Sequence, residues 1–584
     1  MTSPIAALID QARALERQGD LAASLRCARQ ALELAAAEGQ TDLQDRARMA
    51  QAQVFFRLGD YAEARRLCEC VAGQGEDRAV GVDALRLLGI IALETDQMSA
   101  GEAYLRRVVA LTRRSGDDLM LARTLHNLSA GVYMPRGQFD LSLAHDEEAL
   151  RILRAHPNAP EAQASTWAVL MTPAWVNWLC GRAARVEQLL QEIQPYILPG
   201  SLGDVYVHLL RGGLKLDAGA LEEAGPELAL ALSLSERLGS PEGRVFARLA
   251  RARQRRLAAD APAALQWALD GLAIAETVGY GHLRGLALIE RGRAREALGE
   301  PSAAAEDYRA AIALLAPMEL DFDRARAELL LAGVTLSAPD WQAALGSITR
   351  GGFWFLFDQE RALGLRLLAA HLEEPEGASL LQRLVQLPAP PLRVETLGGL
   401  RAWVGRRPLE RSTLRQRAAG ELLCLLLLAP PQPGDGQNRA RLLAYEQIIE
   451  ALCPQKDPAA AQVYLQHAIS TLRRALEPDL PDRRFPSRYL EAAEGRLELR
   501  LPPGSGLDFE QFEAACAAGD WAAALELWRG DFLPEYRYAD WALQKREVLG
   551  GLLRRALLEQ AEARFSAADW PAALALGADR KSVV

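Results

Sequence analysis

The chain has 584 residues and a formal net charge of −9; half of its residues are hydrophobic and only 6% are aromatic. That length is far past the size at which one core stops growing, so two or more domains are expected, and the wealth of Ala, Leu, Glu and Arg is a helical composition. The charge argues against a general nucleic-acid coat, although an average of this kind hides any local basic patch. The opening MTSPIAALIDQARALERQGD has no basic leader and reaches Asp10 quickly, so it does not read as a signal peptide. The longest apolar run, LLCLLLLA (422–429), is too short to span a bilayer. These features predict a soluble cytoplasmic protein with no membrane contact. The seven Cys are scattered, with Cys68 and Cys70 pointing to different sides of one helix, and predict small reduced core residues.

Over the first two thirds a short loop signal recurs. RQGD precedes Leu21, RLGD Tyr61, ETDQ Met98, PRGQ Phe139 and LCGR Ala183; LDAG, LAAD and ALGE continue the series to Pro301. The spacing is close to 40 residues, and each signal sits between two helical stretches rich in small residues. Two helices per unit at a fixed period predict a solenoid, because one hairpin cannot bury its apolar stripe and must stack on its neighbours. The pattern resembles tetratricopeptide repeats of the longer variety. It predicts about nine units over roughly 5–385 and a concave surface for an unknown peptide, protein or small effector. FWFLF (353–357) reads as a buried helix near the end of this solenoid.

The helical period stops at a stiff linker, PAPP (388–391). Leu392, Val394 and Thr396 then alternate with Arg393 and Glu395, and Gly398-Gly399 turns the chain into LRAWV, predicting a short β-meander. Helices are predicted at LRQRAAGELLCLLLLA, ended by PPQP, and at RLLAYEQIIEALC. A third follows in DPAAAQVYLQHAISTLRRALEP, with Asp457 as its cap and Pro458 at its first position. Two strands around Glu494-Gly495 close the region. Strands, three helices and a hairpin are the order of a winged helix.

In the third helix Leu465, Ala468, Ile469, Leu472 and Leu476 form the buried stripe. The other face carries Gln462, Tyr464, Gln466, His467, Ser470 and Thr471, with Arg473 and Arg474 after them. Alone, this is an ordinary exposed face; as the last helix of a helix-turn-helix it is the element that enters a major groove. Gln suits adenine, and Arg, Ser, Thr and His reach base edges or phosphates. From Arg393 to Arg500 there are 17 Arg or Lys against 13 Asp or Glu, a local net charge of +4 in an acidic chain. Arg411, Arg415 and Arg417 cluster at the first helix. Arg473, Arg474 and Arg488 lie between the third helix and the hairpin, which holds Arg496. With Thr471, these are the candidate phosphate contacts.

LRVETLGGLRAWV, LRQRAAGELLCLLLL, the third helix and SRYLEAAEGRLEL resemble, in this order, the OmpR-like winged helix of Streptomyces antibiotic regulatory proteins. The following DFEQFEAACAAGDWAAALELWRGDFLPEYRYADWALQKRE resembles the bacterial transcriptional activator domain that accompanies it. AALELWRGDFLPEY (523–536) and ADWALQKRE (539–547) are the most specific pieces. The resemblance covers about 190 residues and implies an activator that binds repeats in double-stranded promoter DNA and recruits RNA polymerase. It places Gln462, Gln466, His467 and Ser470 at base edges, and Arg473 and Arg474 near phosphate. Two departures stand out: this winged helix follows a solenoid, and Gln462 and Val463 stand where family members often carry Arg or Asn.

The expected organisation is a mainly α chain: a tetratricopeptide-like solenoid (1–387), a linker (388–391), an α+β winged helix (392–507) and a helical-repeat activator domain (508–584). The end, DRKSVV (579–584), back-translates into a common sequencing adapter, so the expectation is that the natural chain continues beyond it. No P-loop is present; RGGLKLD lacks the loop spacing and the hydroxyl after Lys. No H-E-x-x-H occurs, and no nucleophile, base and orienter assemble. The expectation is a non-enzyme without cofactor or metal. The competing reading is a repeat scaffold whose winged helix has become a protein-docking surface.

Overall fold

The structure, a computed structural model, describes residues 3–373, 377–386, 389–405, 407–410, 417–433, 439–482, 484–567 and 570. They form two compact units, Met1–Leu367 and Leu368–Val584. No helix among the described residues is long and apolar enough to cross a membrane.

The first unit is a tetratricopeptide-like solenoid of nine helical hairpins among the described residues, from Pro4–Gln18 with Leu21–Ala37 to Asp321–Thr335 with Ala338–Gly351. All eight loop signals fall at the turn inside a hairpin; the ninth turn, at Leu336, carries no such signal. The turn requires one residue in the left-handed region. Gly19, Gly59, Gly137, Gly181, Gly219 and Gly299 supply it with φ between +73° and +86°, while Asp96, Ala259 and Leu336 hold φ of +58°, +59° and +51°. The next residue often caps the second helix: Asp20 accepts from Ala23 N at 3.0 Å and Asp60 from Glu63 N at 3.1 Å. Ala fills the helix crossings as expected, with Ala28, Ala31, Ala264, Ala268, Ala304 and Ala311 fully buried.

The solenoid winds back on itself, a feature the repeat pattern does not announce. Both carboxylate oxygens of Asp96 accept from Gly281 N at 3.0 Å across 185 residues, and Gln359 Nε2 donates to Leu179 O at 2.6 Å across 180. Arg136 pairs with Glu319 at 2.7 Å, and Phe139 meets Phe322 edge-on at 5.3 Å, in the same sequence window. One superhelical turn therefore takes roughly four and a half repeats of the expected period. FWFLF is buried at Phe353, Leu356 and Phe357, but only Leu356–Gln359 is helical. Instead of one helix it forms a turn whose Phe353 packs on Phe139 and Phe322, because the returning superhelix offers those rings.

The second unit opens with strands β1 (Leu392–Glu395), β2 (Arg401–Val404) and β3 (Arg407–Pro408). The β1–β2 hairpin turns where expected. Gly398 holds φ of +88°, and a Cβ there would come within 2.7 Å of Arg529 O, so only glycine fits. The first helix, Arg417–Leu428, is followed by β4 (Pro431–Pro433) and β5 (Arg439–Ala444), then by helices Tyr445–Leu452 and Pro458–Leu476. The hairpin is β6 (Leu490–Ala493) and β7 (Arg496–Leu501), and β8 (Gly506–Leu507) closes the region. The strands order as β3-β2-β1-β8 and β4-β5-β7-β6.

Two expectations are corrected here. RLLA is strand β5, not the start of the second helix, because β7 pairs along its whole length from Arg439↔Leu501 to Ala444↔Arg496. PPQP is edge strand β4 as well as a helix stop, a place where Pro is tolerated. A short apolar run is ambiguous until its partner strand is known. Helices Asp508–Ala518, Trp521–Leu527 and Asp540–Ser566 follow. They share one hydrophobic core with the winged helix, running from Leu392 and Val394 through Leu422 and Leu472 to Phe512 and Leu553. The expected later helices from FSAADWPAALAL onward, and Asp579 to Val584, lie outside the described residues, apart from the start of that segment and Trp570.

Candidate nucleic-acid interface and a cavity in the repeat unit

The third helix starts as its sequence dictates. Asp457 accepts from Ala460 N at 3.0 Å and Pro458 takes the first position. Its buried side is Ala461, Leu465, Ala468, Thr471, Leu472 and Leu476, with Ile469 half-buried. Gln462, Gln466 and His467 are exposed, Ser470 is half-buried, and Arg474 is exposed with Nη2 at 3.5 Å from Ser470 Oγ. Residues 462, 466, 470 and 474 make one i, i+4 row spanning about 18 Å of helix. Val463, 70% exposed, stands beside that row. The sequence reading gave it no role, yet an exposed aliphatic group there suits a thymine methyl.

Beside the helix the β6–β7 hairpin forms a wing. Glu494 and Gly495 hold φ of +51° and +74°, the two left-handed positions of a tight hairpin turn. Tyr445 N donates to Gly495 O at 2.8 Å, fastening the wing tip to the second helix. Arg496 is exposed at the start of β7, next to that tip.

The remaining arginine candidates divide sharply. Arg488 is buried and pairs with Glu477 at 3.4 Å; Glu477 also accepts from Ser487 Oγ at 2.5 Å and Arg488 N at 2.9 Å, which shapes the loop between helix and wing. Arg473 donates to the carbonyls of Asp482 and Phe485 in that loop. Thr471 is only 8% exposed and faces the core. Arg407, in β3, donates to Ala475 O and Leu476 O at the third helix's C-terminus. Arg484 pairs with Asp482 at 2.8 Å, and its guanidinium holds that carboxyl below the usual range. Helix end and loop therefore use most of the local positive charge. Arg411 and Arg415 lie outside the described residues; Arg417 opens the first helix.

A second candidate site lies within the repeat unit, where sequence reading named only a concave surface. The inner helices of six successive hairpins enclose a cavity of about 390 Å³. Trp167, Trp175, Trp178, Tyr206, Phe246 and Tyr280 form much of its wall, so a chain poor in aromatics concentrates them here. Trp175 packs on Trp178 at 5.2 Å and on Phe246 at 5.7 Å. The polar lining includes His126, Glu242, Arg253, His282, Glu290 and Asp323. The available signal was the recurrence of aromatic residues in the first helix of consecutive repeats, as in TWAVLMTPAWVNWL (166–179). Among the described residues, no group of three or more His, Cys, Asp or Glu is placed to hold a metal. All seven Cys are free; Cys70 is exposed, unlike the core position expected for it.

No family model matches the chain, and no curated protein matches it. Solved structures with a similar chain path include a Rap protein complexed with Competence and Sporulation Factor, at 15% identity over 58% of this chain and 96% of that one, with a TM-score of 0.45. A STAND protein with a tetratricopeptide repeat sensor from Pyrococcus horikoshii aligns at 13% identity over 56% of this chain and 54% of that one, with a TM-score of 0.30. Aspartyl phosphate phosphatase F from Bacillus subtilis aligns at 14% over 66% and 95%, with a TM-score of 0.26. At these values the fold stands on its own nine hairpins and two small sheets.

Proposed function

We propose that this chain is a sequence-specific transcription regulator, an activator by its resemblance, with no catalytic activity of its own. The second unit reads double-stranded promoter DNA, and the repeat unit senses or docks a partner. One observation supports the reading: Gln462, Gln466 and Arg474 are exposed in one row of the third helix, with Ser470 half-buried among them, beside a hairpin whose tip is followed by the exposed Arg496. Gln462 and Gln466 supply the donor and acceptor pair that adenine requires, with His467 and Ser470 as further base contacts. Arg474 and Arg496 are the phosphate contacts, steadied by an interior that fixes the loop between them through Glu477 and Arg488. RNA polymerase is the partner for the C-terminal helices.

The test is affinity selection of sheared genomic DNA by the full chain at low and moderate salt. Enriched fragments carrying a short repeat upstream of a few genes are expected. Weak retention, blind to sequence and lost at moderate salt, would refute the reading.

That result would favour the second reading, a docking scaffold. It has its own observation: Arg407, Arg473, Arg484 and Arg488 are engaged inside the domain, while an apolar Val463 is displayed.

A further inference from the structure

We propose that the cavity of the repeat unit is a receptor for an organic cation, an ammonium group carried on an apolar or aromatic body, bound with its charge at Glu242. The proposal deepens the reading of this unit as a sensing body, and rests on it only for the consequence at DNA.

The argument begins with charge. Most ionisable groups of the lining already have a partner inside the protein. Arg253 pairs with Asp217 at 2.6 Å, Arg326 with Glu290 at 3.3 Å, His282 with Asp323 at 2.9 Å and His126 with Asp146 at 3.1 Å. Glu242 is the exception. Its carboxylate accepts the Tyr206 hydroxyl at 2.7 Å and has no salt bridge among the described residues. Across the superhelical seam stand Glu94 and Asp96, from a repeat one full turn earlier. Asp96 is held by Gly281 N and feels His282 and Arg284. Glu94 feels Glu242 and Asp96, and Glu242 feels His282, but neither Glu94 nor Glu242 has an ion pair among the described residues. Burial, then repulsion from Glu242 and Asp96, pushes Glu94 up to about 8, and burial raises Glu242 as well.

The second observation is independent of that pair. Glu290, only 8% exposed, lines the same cavity with one oxygen on Arg326 and its Oε2 buried without a partner. A buried carboxylate oxygen left unpaired accepts a donor from the ligand, and because Arg253, Arg256, Arg293 and Arg326 surround it, that donor is a neutral group on the ligand's body while the charged end lies at Glu242. The third is the wall. Trp175 stands 6.3 Å from Tyr206, edge to face, with Phe246 on its other side. Aromatic faces beside a carboxylate attract an ammonium and repel an anion, and the remaining Trp and Leu surface suits an apolar body.

The test uses the full chain and three probes of one shape: phenylbutylammonium (positive), phenylbutanol (neutral) and phenylbutyrate (negative), each titrated calorimetrically. The ammonium is expected to bind best and the carboxylate worst, with about tenfold or more between them. Affinity for the ammonium should rise from pH 5 to pH 8. The groups facing the site are Glu94, Glu242, Asp96, His282, Arg284, Tyr61, Tyr206 and Tyr280, and the carboxyl protons must leave for the cation to bind. Glu242→Gln, which keeps the shape, should erase the preference to within about threefold. Equal or tighter binding of the carboxylate, a ranking untouched in Glu242→Gln, or no heat from any probe with a natively folded chain would each overturn the proposal. DNA retention measured with and without the ammonium separates the two readings. Binding without any effect on DNA would leave the receptor standing and remove its coupling to the second unit.

Discussion

The two units solve the same problem, burial of apolar surface, in opposite ways. The repeat unit divides its interior into several clusters, most shared by neighbouring hairpins, as with Leu67, Cys68, Val71 and Leu88 in one and Val186, Leu189, Ile193 and Leu210 in another, while one joins Leu105 and Leu128 to Tyr308 and Leu331 across the superhelical turn. The second unit has one core that unites strands, winged-helix helices and the C-terminal helices. It is also tied by buried polar groups, above all Asp508, which accepts from Thr396 N and Leu397 N at 2.8 and 2.9 Å and from Thr396 Oγ1 at 2.7 Å. A sum of local interfaces leaves room for an open interior lined by polar groups; a single shared core holds its surface helices rigid, as the proposed reading of DNA would require.

The largest effect should come from Asp508→Ala. It leaves four donors unpaired in the core, Thr396 N and Oγ1, Leu397 N and Phe509 N, a loss of about 3–5 kcal/mol. Hydrogen exchange should show the winged helix and helices Asp508–Ala518 and Asp540–Ser566 opening together, with the repeat unit unchanged. Separate opening of the C-terminal helices would break the comparison. Next, Gln466→Ala should cost about 1–3 kcal/mol of discrimination between selected and random DNA, read from competition binding, while non-specific retention stays as before. Glu94→Gln addresses the repeat unit. Because its folded pKa is raised, Glu94 contributes stability that is present below the ordinary carboxylate range and lost as pH rises through about 8. The variant should flatten that decline and stabilise the unit by about 1–2 kcal/mol at pH 9, seen in urea unfolding at pH 5 and pH 9. The smallest change is Arg474→Ala, which should weaken all DNA sequences alike by about 0.5–1 kcal/mol and reduce the salt slope by roughly one. Arg473 is unsuited to that test, since its truncation would release the carbonyls of Asp482 and Phe485.

Local signals were legible in the sequence. Gly followed by Asp marked the hairpin turns, Asp457-Pro458 marked the third helix, and Gly398-Gly399 marked the first β-turn. What depended on distant partners was not. RLLA became a strand only because β7 lies beside it. Thr471 and Arg488 looked like surface contacts until the core and Glu477 claimed them. The acidic pair was hidden for the same reason: Glu94 and Glu242 become neighbours only when the superhelix winds back on itself. One clue stood in plain view. Among the early turns, ETDQ alone lacks glycine, and its Asp96 both adopts the left-handed turn and caps the helix that starts at Gly281.

That cap makes the repeat unit a coil spring whose turns are stitched together. An unstitched solenoid yields smoothly when its ends are pulled, because each hairpin bends a little. Here Asp96 on Gly281, Arg136 on Glu319 and Gln359 on Leu179 join turns that are far apart in sequence. Tension along the axis would first meet stiffness and then a discrete rupture as these clasps release.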